Sequence, residues 1–365
     1  MAFFNCYKGK RVLITGHTGF KGSWLAEWLI QLGADVSGFA LPPPVDAPFF
    51  NQLGLAGRLN HIEGDVRNLD TVDAAIAKTR PEFVFHLAAQ SLVRPSYEHP
   101  VENYATNVMG TVHVLDAIRR AKRPCAVVVV TSDKCYENRE WIHSYREEDA
   151  LGGYDPYSSS KGAAEIIVGA YRRSFFFPEQ SLIRLASARA GNVIGGGDWA
   201  LDRIVPDCIR SLSRKEAIAV RNKTATRPWQ HVLEPLSGYL WLGACLASTP
   251  TTDIQSAFNF GPSLLSNRTV QDLVVEILKH WPGIWEDKSN PLAVHEARLL
   301  NLATDKAFHY LKWRPVWNFE KAVAETMSWY LTNARQPSDA GAHFIRKQIE
   351  GYTESGRNQG LAWAC

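Results

Sequence analysis

Tyr157 and Lys161 stand four residues apart in Tyr157-Ser158-Ser159-Ser160-Lys161. On a helix, that spacing puts both side chains on one face, about one turn from each other. An ammonium beside a phenol favours the phenolate, so the Tyr157 pKa is expected to fall from about 10 towards neutrality. A phenolate formed near neutral pH can take the proton of an alcohol while hydride leaves the carbon that bears it. Taken alone, the pair also describes an ordinary helix surface. Two other stretches favour the chemical reading. One is a glycine-rich turn near the start of the chain. The other is Thr131-Ser132-Asp133-Lys134, which sets hydroxyl, acid and amine in succession. Two titratable groups beside a hydroxyl allow acid and base work beyond hydride transfer.

The elements that must position these residues follow from pattern. Residues 126–130 (AVVVV) predict a central strand buried on both faces, with Thr131 to Lys134 at its end. Gly152-Gly153-Tyr154-Asp155-Pro156 marks a turn, and the Tyr157 helix begins after it. Residues 10–16 (KRVLITG) predict a strand that runs into Gly16-His17-Thr18-Gly19-Phe20-Lys21-Gly22 and an amphipathic helix, 23–32. In this context Gly16 permits a tight turn, Gly19 admits a pyrophosphate and Gly22 lets helix approach strand. The free N–H groups and partial positive charge of the helix start then face the phosphate. Gly16, Thr18, Gly19, Phe20 and Gly22 are thus the expected dinucleotide cradle.

Residues 81–89 (PEFVFHLAA) predict another buried strand, whose end at Leu87, Ala88 and Ala89 leaves room for a cofactor. Gln90, Ser91 and Arg94 follow at the carboxyl end of that strand, where ligands bind in open parallel sheets. A long helix is expected over 102–122; its Asn107 either braces the site or is a satisfied buried amide. Strands and helices alternate to about residue 185, which implies a doubly wound, Rossmann-like parallel sheet. Beyond it the pattern breaks. Residues 190–199 are expected as a flexible glycine-rich loop, 227–232 as a polar crossing into a helix at 236–246, 257–261 as a short strand, and 270–280 and 321–331 as helices. The expected organisation is α/β: 1–187 plus 222–261 as the cofactor domain, and 188–221 plus 262–365 as a smaller, discontinuous substrate-binding lobe.

The bulk numbers restrict function. With 365 residues, 45% hydrophobic and 21% charged, the chain has the composition of a soluble globular protein and the length for two lobes. A formal charge of +3 gives no reason to expect nucleic acid as a partner. The six cysteines show no CxxC pair and no metal-ligand spacing, so free thiols in a reducing compartment are expected and no metal. Residues 1–11 lack the apolar core of a signal peptide, and no apolar run reaches the roughly 18 residues of a membrane helix. The expected location is the cytoplasm, away from any membrane.

The spacing G-x-x-G-x-x-G resembles that of the extended short-chain dehydrogenase/reductase family, whose members act on nucleotide sugars. The resemblance implies a nicotinamide cofactor. In that family the second strand often ends in an acidic residue that holds the adenine ribose; here the position is Ala40, followed by Leu41 and three prolines. No arginine stands nearby in sequence to receive a 2′-phosphate, so NAD is expected rather than NADP. Residues 61–67 (HIEGDVR) resemble the adenine-contacting turn, with Asp65 and Val66 at the matching positions; Asp65 also reads as a turn or cap. The family pairs a hydroxyl with the tyrosine and lysine. Thr131 and Ser132 both stand near, and the motif prefers Ser132, on the sugar's 4-hydroxyl. Tyr157 would take that proton and Lys161 would hold the nicotinamide ribose.

Thr131-Ser132-Asp133-Lys134-Cys135-Tyr136 resembles the nucleotide-sugar 4,6-dehydratases within that family. The likeness implies transient oxidation at carbon 4, elimination of water across carbons 5 and 6, and return of hydride to carbon 6. Asp133 would protonate the departing 6-hydroxyl, which requires burial to hold it protonated. Many relatives carry glutamate where Lys134 stands; the lysine would take the carbon 5 proton or, staying charged, stabilise the enolate. Lys134, residues 16–29, residues 227–232 and His295-Glu296-Ala297 fit the branch that acts on CDP-glucose. Asn192, Arg203 and Arg227 are implied near the diphosphate or sugar, although each arginine also reads as a surface ion pair. A homodimer formed through the 102–122 and Tyr157 helices, and a role in making deoxysugars for surface polysaccharide, are implied likewise. Two rivals are a 4-epimerase of the same fold, against which Asp133 and Lys134 argue, and a non-catalytic NAD-sensing regulator.

Overall fold

The structure is a computed structural model that describes residues 2–43, 49–176, 181–248, 251–289 and 299–365. His295-Glu296-Ala297 and the third proline, Pro44, lie outside the described residues. The chain opens with β1 (Arg11–Thr15), α1 (Phe20–Gln31), β2 (Asp35–Ala40), β3 (Asn60–Glu63), α2 (Leu69–Thr79) and β4 (Phe83–His86). Helical residues 100–121 follow, then β5 (Cys125–Val130), α3 (Pro156–Ser174) and β6 (Ile183–Ala190). After α4 (Ile204–Arg214) and α5 (Leu233–Ser248), β7 (Ala257–Phe260) completes the sheet. Its order is β7-β6-β5-β4-β1-β2-β3, and every neighbouring pair is parallel. The winding reverses between β1 and β4, which opens a crevice at their carboxyl ends.

The sequence explains why the sheet sits where it does. All six residues of β5 are buried, as a parallel strand covered on both faces requires. On one face Trp24 and Trp28 of α1 and Leu236 and Leu240 of α5 form a large core; on the other, Val114, Ile118, Val168 and Ile76 form a second. Asp155 caps α3 by accepting from the Ser158 amide at 2.9 Å, and Pro156 supplies its first residue, so the Tyr157 helix starts at the sheet's carboxyl edge.

Three local expectations are corrected. Helix α1 begins at Phe20 rather than 23, with Gly19 as its cap, so Gly22 lies inside the first turn. A Cβ there would fall 2.1 Å from the Gly16 carbonyl oxygen, so turn and helix can meet only at glycine. The helix expected over 102–122 runs from 100 to 121 and contains a π turn at Ala105–Met109. Residues 190–199 are packed rather than flexible. Val193–Ile194 pair in parallel with Gln230–His231, and Gly196 sits where a Cβ would strike the Trp329 ring at 2.1 Å.

The C-terminal part holds α6 (Val270–His280), α7 (Phe319–Arg335) and α8 (Ala342–Asn358). Tyr352 stacks on Trp363, and Trp363 stacks on Phe3, so residues beyond 340 close the core beneath α1. The expected boundary at 262 therefore crosses a continuous core. Among the described residues, no helix is long and apolar enough to cross a membrane.

Candidate active site

A cleft of about 1170 Å³ lies at the carboxyl ends of β1, β4 and β5. Gly16, Thr18, Gly19, Phe20 and Gly22 line one end of it. Gly16 takes φ +77°, and a Cβ there would sit 2.7 Å from the Ala88 amide nitrogen. Gly19 is different: a Cβ would meet only the Gly16 carbonyl oxygen, at 3.4 Å, and would project into the cleft. The first intrahelical bond of α1 is Ser23 to Gly19 (2.8 Å), so the amides of Phe20, Lys21 and Gly22 have no partner within the helix. A glycine cradle with free amides at a helix start fits a dinucleotide pyrophosphate. Asp65, Val66, Leu87, Ala88 and Ala89 extend the same wall. Ala40 and Leu41 line it where an acidic residue would hold a ribose. Arg67 reaches this wall as well, which sequence proximity to Ala40 did not reveal. Its guanidinium is engaged by Asp65 (2.6 Å) and Glu102 (3.1 Å).

Ser132, Asp133, Lys134, Tyr157 and Lys161 converge in the middle of the cleft. Ser132 caps a short 3-10 turn, Asp133–Cys135, which follows β5. Its Oγ accepts from the Lys134 amide at 3.3 Å and donates to Asp133 Oδ1 at 3.0 Å. Asp133 Oδ2 has no hydrogen-bond partner among the described residues. Burial lifts the Asp133 carboxyl above the ordinary carboxylate range, against the pull of Lys134, Ser132, Arg227 and Lys21. The Tyr157 expectation is corrected. Burial pushes its phenol up to about 12, and the Ser132 hydrogen bond only partly offsets this. Burial also lowers Lys161 to about 8, and its ammonium donates to the Val130 carbonyl at 3.4 Å. Proximity on one helical face does not outweigh removal from water.

The back of the strand end distinguishes the two hydroxyls. Thr131 donates to Glu165, one helical turn beyond Lys161, and Glu165 also accepts from Ser187 (2.7 Å) and Arg189 (2.8 Å). The Thr131 hydroxyl is therefore committed behind the sheet, and the Ser132 hydroxyl is the one turned to Asp133. Gln90 and Asn107 do not line the cleft. Asn107 accepts from the Gln90 amide (2.8 Å), donates to the Gln90 carbonyl (2.9 Å) and donates to Ser160 Oγ (2.8 Å). It thus ties the loop after β4 to α3, and the π turn is what aims it there. The Gln90 side chain accepts from Asn103 at 2.7 Å within the same brace.

The opposite wall carries Asn192, Arg203 and Arg227, with Ser91 and Arg94 across the opening. Arg203 pairs with Asp198 at 2.9 Å. Arg94 pairs with Asp202 at 3.2 Å, and Asp202 also holds Arg221 at 2.5 Å. One cleft residue escaped the sequence reading. Lys21, half-buried in the first turn of α1, makes no hydrogen bond or ion pair among the described residues. Burial, with the nearby Arg203 charge, lowers its ammonium to about 8, while Asp133 and Asp198 pull the other way. Its position inside the glycine turn hid it; the signal was a cation at a helix start, where the dipole disfavours one.

A parallel sheet whose switch point joins a glycine-rich turn at a helix start to a tyrosine, a lysine and a buried acid has the architecture of the Rossmann-type dinucleotide-binding proteins. Solved structures share that fold. An epimerase from Methanothermobacter thermautotrophicus aligns with a TM-score of 0.77 at 21% identity, over 93% of this chain and 97% of its own. A dTDP-glucose 4,6-dehydratase from Bacillus anthracis, solved in complex with NAD, aligns with a TM-score of 0.73 at 20% identity, over 90% of this chain and 99% of its own. In sequence, the chain is 46% identical to a CDP-glucose 4,6-dehydratase of Salmonella typhimurium, over 89% of this chain and 92% of the relative. A CDP-paratose 2-epimerase of Salmonella typhi is 25% identical over 87% of this chain and 98% of its own length. Residues 13–326 match the family described as GDP-mannose 4,6 dehydratase, and the chain belongs to that family.

Proposed function

We propose that the chain is an NAD-dependent nucleotide-sugar 4,6-dehydratase that converts CDP-glucose to CDP-4-keto-6-deoxyglucose with loss of water. The observation that carries this reading is a buried carboxyl with one oxygen hydrogen-bonded to Ser132 and the other unpartnered, in one cleft with Lys134, Tyr157 and Lys161. The 46% identity to a CDP-glucose 4,6-dehydratase supports the choice of sugar nucleotide.

NAD, when bound, supplies a reversible hydride acceptor, taking hydride from carbon 4 and returning it to carbon 6. Gly16, Thr18, Gly19, Phe20 and Gly22 would hold its pyrophosphate, and Asp65, Val66, Leu87, Ala88 and Ala89 would flank its adenosine and nicotinamide halves. Ser132 orients the 4-hydroxyl and Tyr157 accepts its proton. Burial holds the phenol up at about 12, which Arg203 only partly offsets, and Lys161 stands one turn away. The 4-ketone acidifies carbon 5. Lys134 takes that proton, or as an ammonium stabilises the enolate, while Asp133, whose carboxyl burial lifts above the ordinary carboxylate range, protonates the 6-hydroxyl as it leaves as water. Asn192, Arg203 and Arg227 serve the diphosphate and sugar, since guanidinium forks suit phosphate oxygens. In this reading 1–187 with 222–261 hold the cofactor. The cleft-facing parts of 188–221 with 262–365 hold the sugar nucleotide, while α7 and α8 support the cofactor side.

A homodimer fits the exposed apolar side chains Val101, Tyr104, Met109 and Ile166 on the 100–121 stretch and α3. Six free thiols fit a reducing cytoplasm. Incubation of the purified protein with NAD and each nucleotide-glucose tests the function. The expected result is the alkali-sensitive 4-keto chromophore with CDP-glucose, and solvent deuterium at carbon 5 of the product. Product epimerised at carbon 4, with carbon 5 unlabelled, would replace dehydration by epimerisation.

A further inference from the structure

Two glycines of residues 190–199 answer to the core. A Cβ on Gly196 would strike the Trp329 ring and one on Gly197 the Phe49 ring, at 2.1 Å each, and Gly197 takes φ +85°. Gly191 is different. It is buried directly after β6 and lines the cleft. Its φ lies outside the left-handed region, so no turn requires glycine there. What its missing side chain makes room for is the acid of the site. A Cβ on Gly191 would fall 2.6 Å from Asp133 Oδ2 and 3.3 Å from Asp133 Cγ.

We propose that Gly191 is a positioning residue for the elimination step: its bare Cα is the seat against which the Asp133 carboxyl is set. The carboxyl is then held from two sides. Ser132 Oγ donates to Oδ1 at 3.0 Å. Oδ2 has no hydrogen-bond partner among the described residues and is buried against Gly191. A Cα gives an oxygen packing but no strong hydrogen bond, and desolvation without a donor favours the protonated form of a carboxyl. The seat therefore fixes where the acid stands without quenching it.

A side chain at 191 has no easier way out. The same Cβ would stand 3.3 Å from Pro228 Cγ, and Pro228 is buried in the strand pair that it forms with Asn267. A proline ring in a paired strand yields less than a carboxyl at the end of a short side chain. Ordinary contact lies near about 3.5 Å, so Asp133 Oδ2 must retreat by roughly 1 Å. A displacement on that scale misdirects a proton donor enough to cost about 10²-fold. Tyr157 and Lys161 are carried by α3 and not by this seat, so oxidation at carbon 4 should survive.

This inference rests on the dehydratase reading, and the experiment separates the two. The parent and Gly191→Ala are each equilibrated with NAD, mixed rapidly with CDP-glucose and followed for reduced cofactor and for 4-keto product. A parent that forms no product defeats the underlying reading, whatever the variant does. Gly191→Ala is expected to unfold in urea close to the parent, to oxidise carbon 4 and accumulate reduced cofactor, and to form product about 10²-fold more slowly. Added to Asp133→Ala, which removes the colliding carboxyl, it should slow nothing further. Product at the parental rate, or slow product without reduced cofactor, would overturn the proposal, as would a full further loss in the Asp133→Ala background. If Gly191→Ala does not fold, the double variant decides. A folded double variant places the collision at Asp133; an unfolded one places it in the backbone and overturns the proposal.

Discussion

Two buried carboxyls lie on either side of the end of β5, and they titrate in opposite directions. Burial pushes both upward. At Glu165 the Arg189 charge and hydrogen bonds from Arg189, Thr131 and Ser187 outweigh it, and the group ends below its ordinary value. At Asp133 a bond from Ser132 and more distant cations do not, and the group ends above it. Equally buried, the two groups thus shift apart, Glu165 downward and Asp133 upward. The number of partners decides the direction. Glu165 ties Thr131, Ser187 and Arg189 together, whereas Asp133 keeps one oxygen without a hydrogen-bond partner among the described residues.

The most severe way to break this contrast is to remove the reactive side. Asp133→Asn with Lys134→Ala should lower product formation by at least about 10²–10⁴-fold, the span of general acid–base catalysis. The protein should still bind NAD and oxidise carbon 4, so that reduced cofactor accumulates, seen by its near-ultraviolet absorbance. Product at the parental rate would remove both residues from the elimination.

Removing the structural side should do the reverse. Glu165→Gln leaves the Arg189 guanidinium buried without its counter-ion and should cost about 3–5 kcal/mol in urea unfolding, with activity per folded molecule far less affected. If activity fell as much as it does for Asp133→Asn with stability intact, the assignment of Glu165 as a brace would be wrong.

The sign of the stability change sharpens the comparison. Glu165 is held below its ordinary value near 4.5, so its contribution is present above that value and is lost as pH falls through the lowered one. Asp133 is held above its ordinary value near 3.8, so the unfolded chain gives up that proton first as pH rises. Native stability then falls between 3.8 and the raised value. Asp133→Asn alone should accordingly stabilise the protein near neutral pH, by about 0.5–2 kcal/mol, while it abolishes dehydration. Measured from about pH 4 to pH 7, its gain should grow with pH up to the raised value, whereas the Glu165→Gln loss should level off once pH exceeds the ordinary value near 4.5.

These contrasts also mark how far the sequence could be read. The strand, glycine turn and helix from Arg11 to Gln31 were legible because each glycine answers a local need: a positive φ at Gly16, an open approach at Gly19, a backbone contact at Gly22. The apolar run of β5 was legible from burial on both faces. What a single element could not disclose was pairing between elements. Nothing near Thr131 announces Glu165, 34 residues on, so the preference for Ser132 over Thr131 rested on motif resemblance alone until the sheet and α3 came together. The π turn that directs Asn107 to Gln90 and Ser160 breaks helical periodicity with no glycine or proline inside Ala105–Met109, and Gly110 directly after it reads as an ordinary helix residue. Tyr157 shows the converse error: the local pair was read correctly, but desolvation, a property of the whole fold, sets the direction of its shift.

Lys21 offers the smallest and most discriminating test. It belongs to the reactive wall but was hidden in the cradle motif. Its cation stands in the first turn of α1, where the helix dipole is unfavourable, and makes no ion pair among the described residues. Such a side chain lowers native stability, and an anionic ligand in the cleft is what it can serve. Lys21→Met should therefore gain about 0.3–1 kcal/mol without ligand, the scale of a helix-end charge. It should also raise the KM for the sugar nucleotide. The pH dependence has a definite sign. Burial lowers Lys21 to about 8 in the fold, against an ordinary value of 10.5, so between those values the unfolded chain binds the extra proton and native stability rises with pH. Lys161, lowered for the same reason, contributes a similar rise. Lys21→Met should remove part of the slope and leave the remainder, measured by urea unfolding from about pH 7.5 to 10. An unchanged slope with an unchanged KM would return Lys21 to the status of a bystander at the helix start.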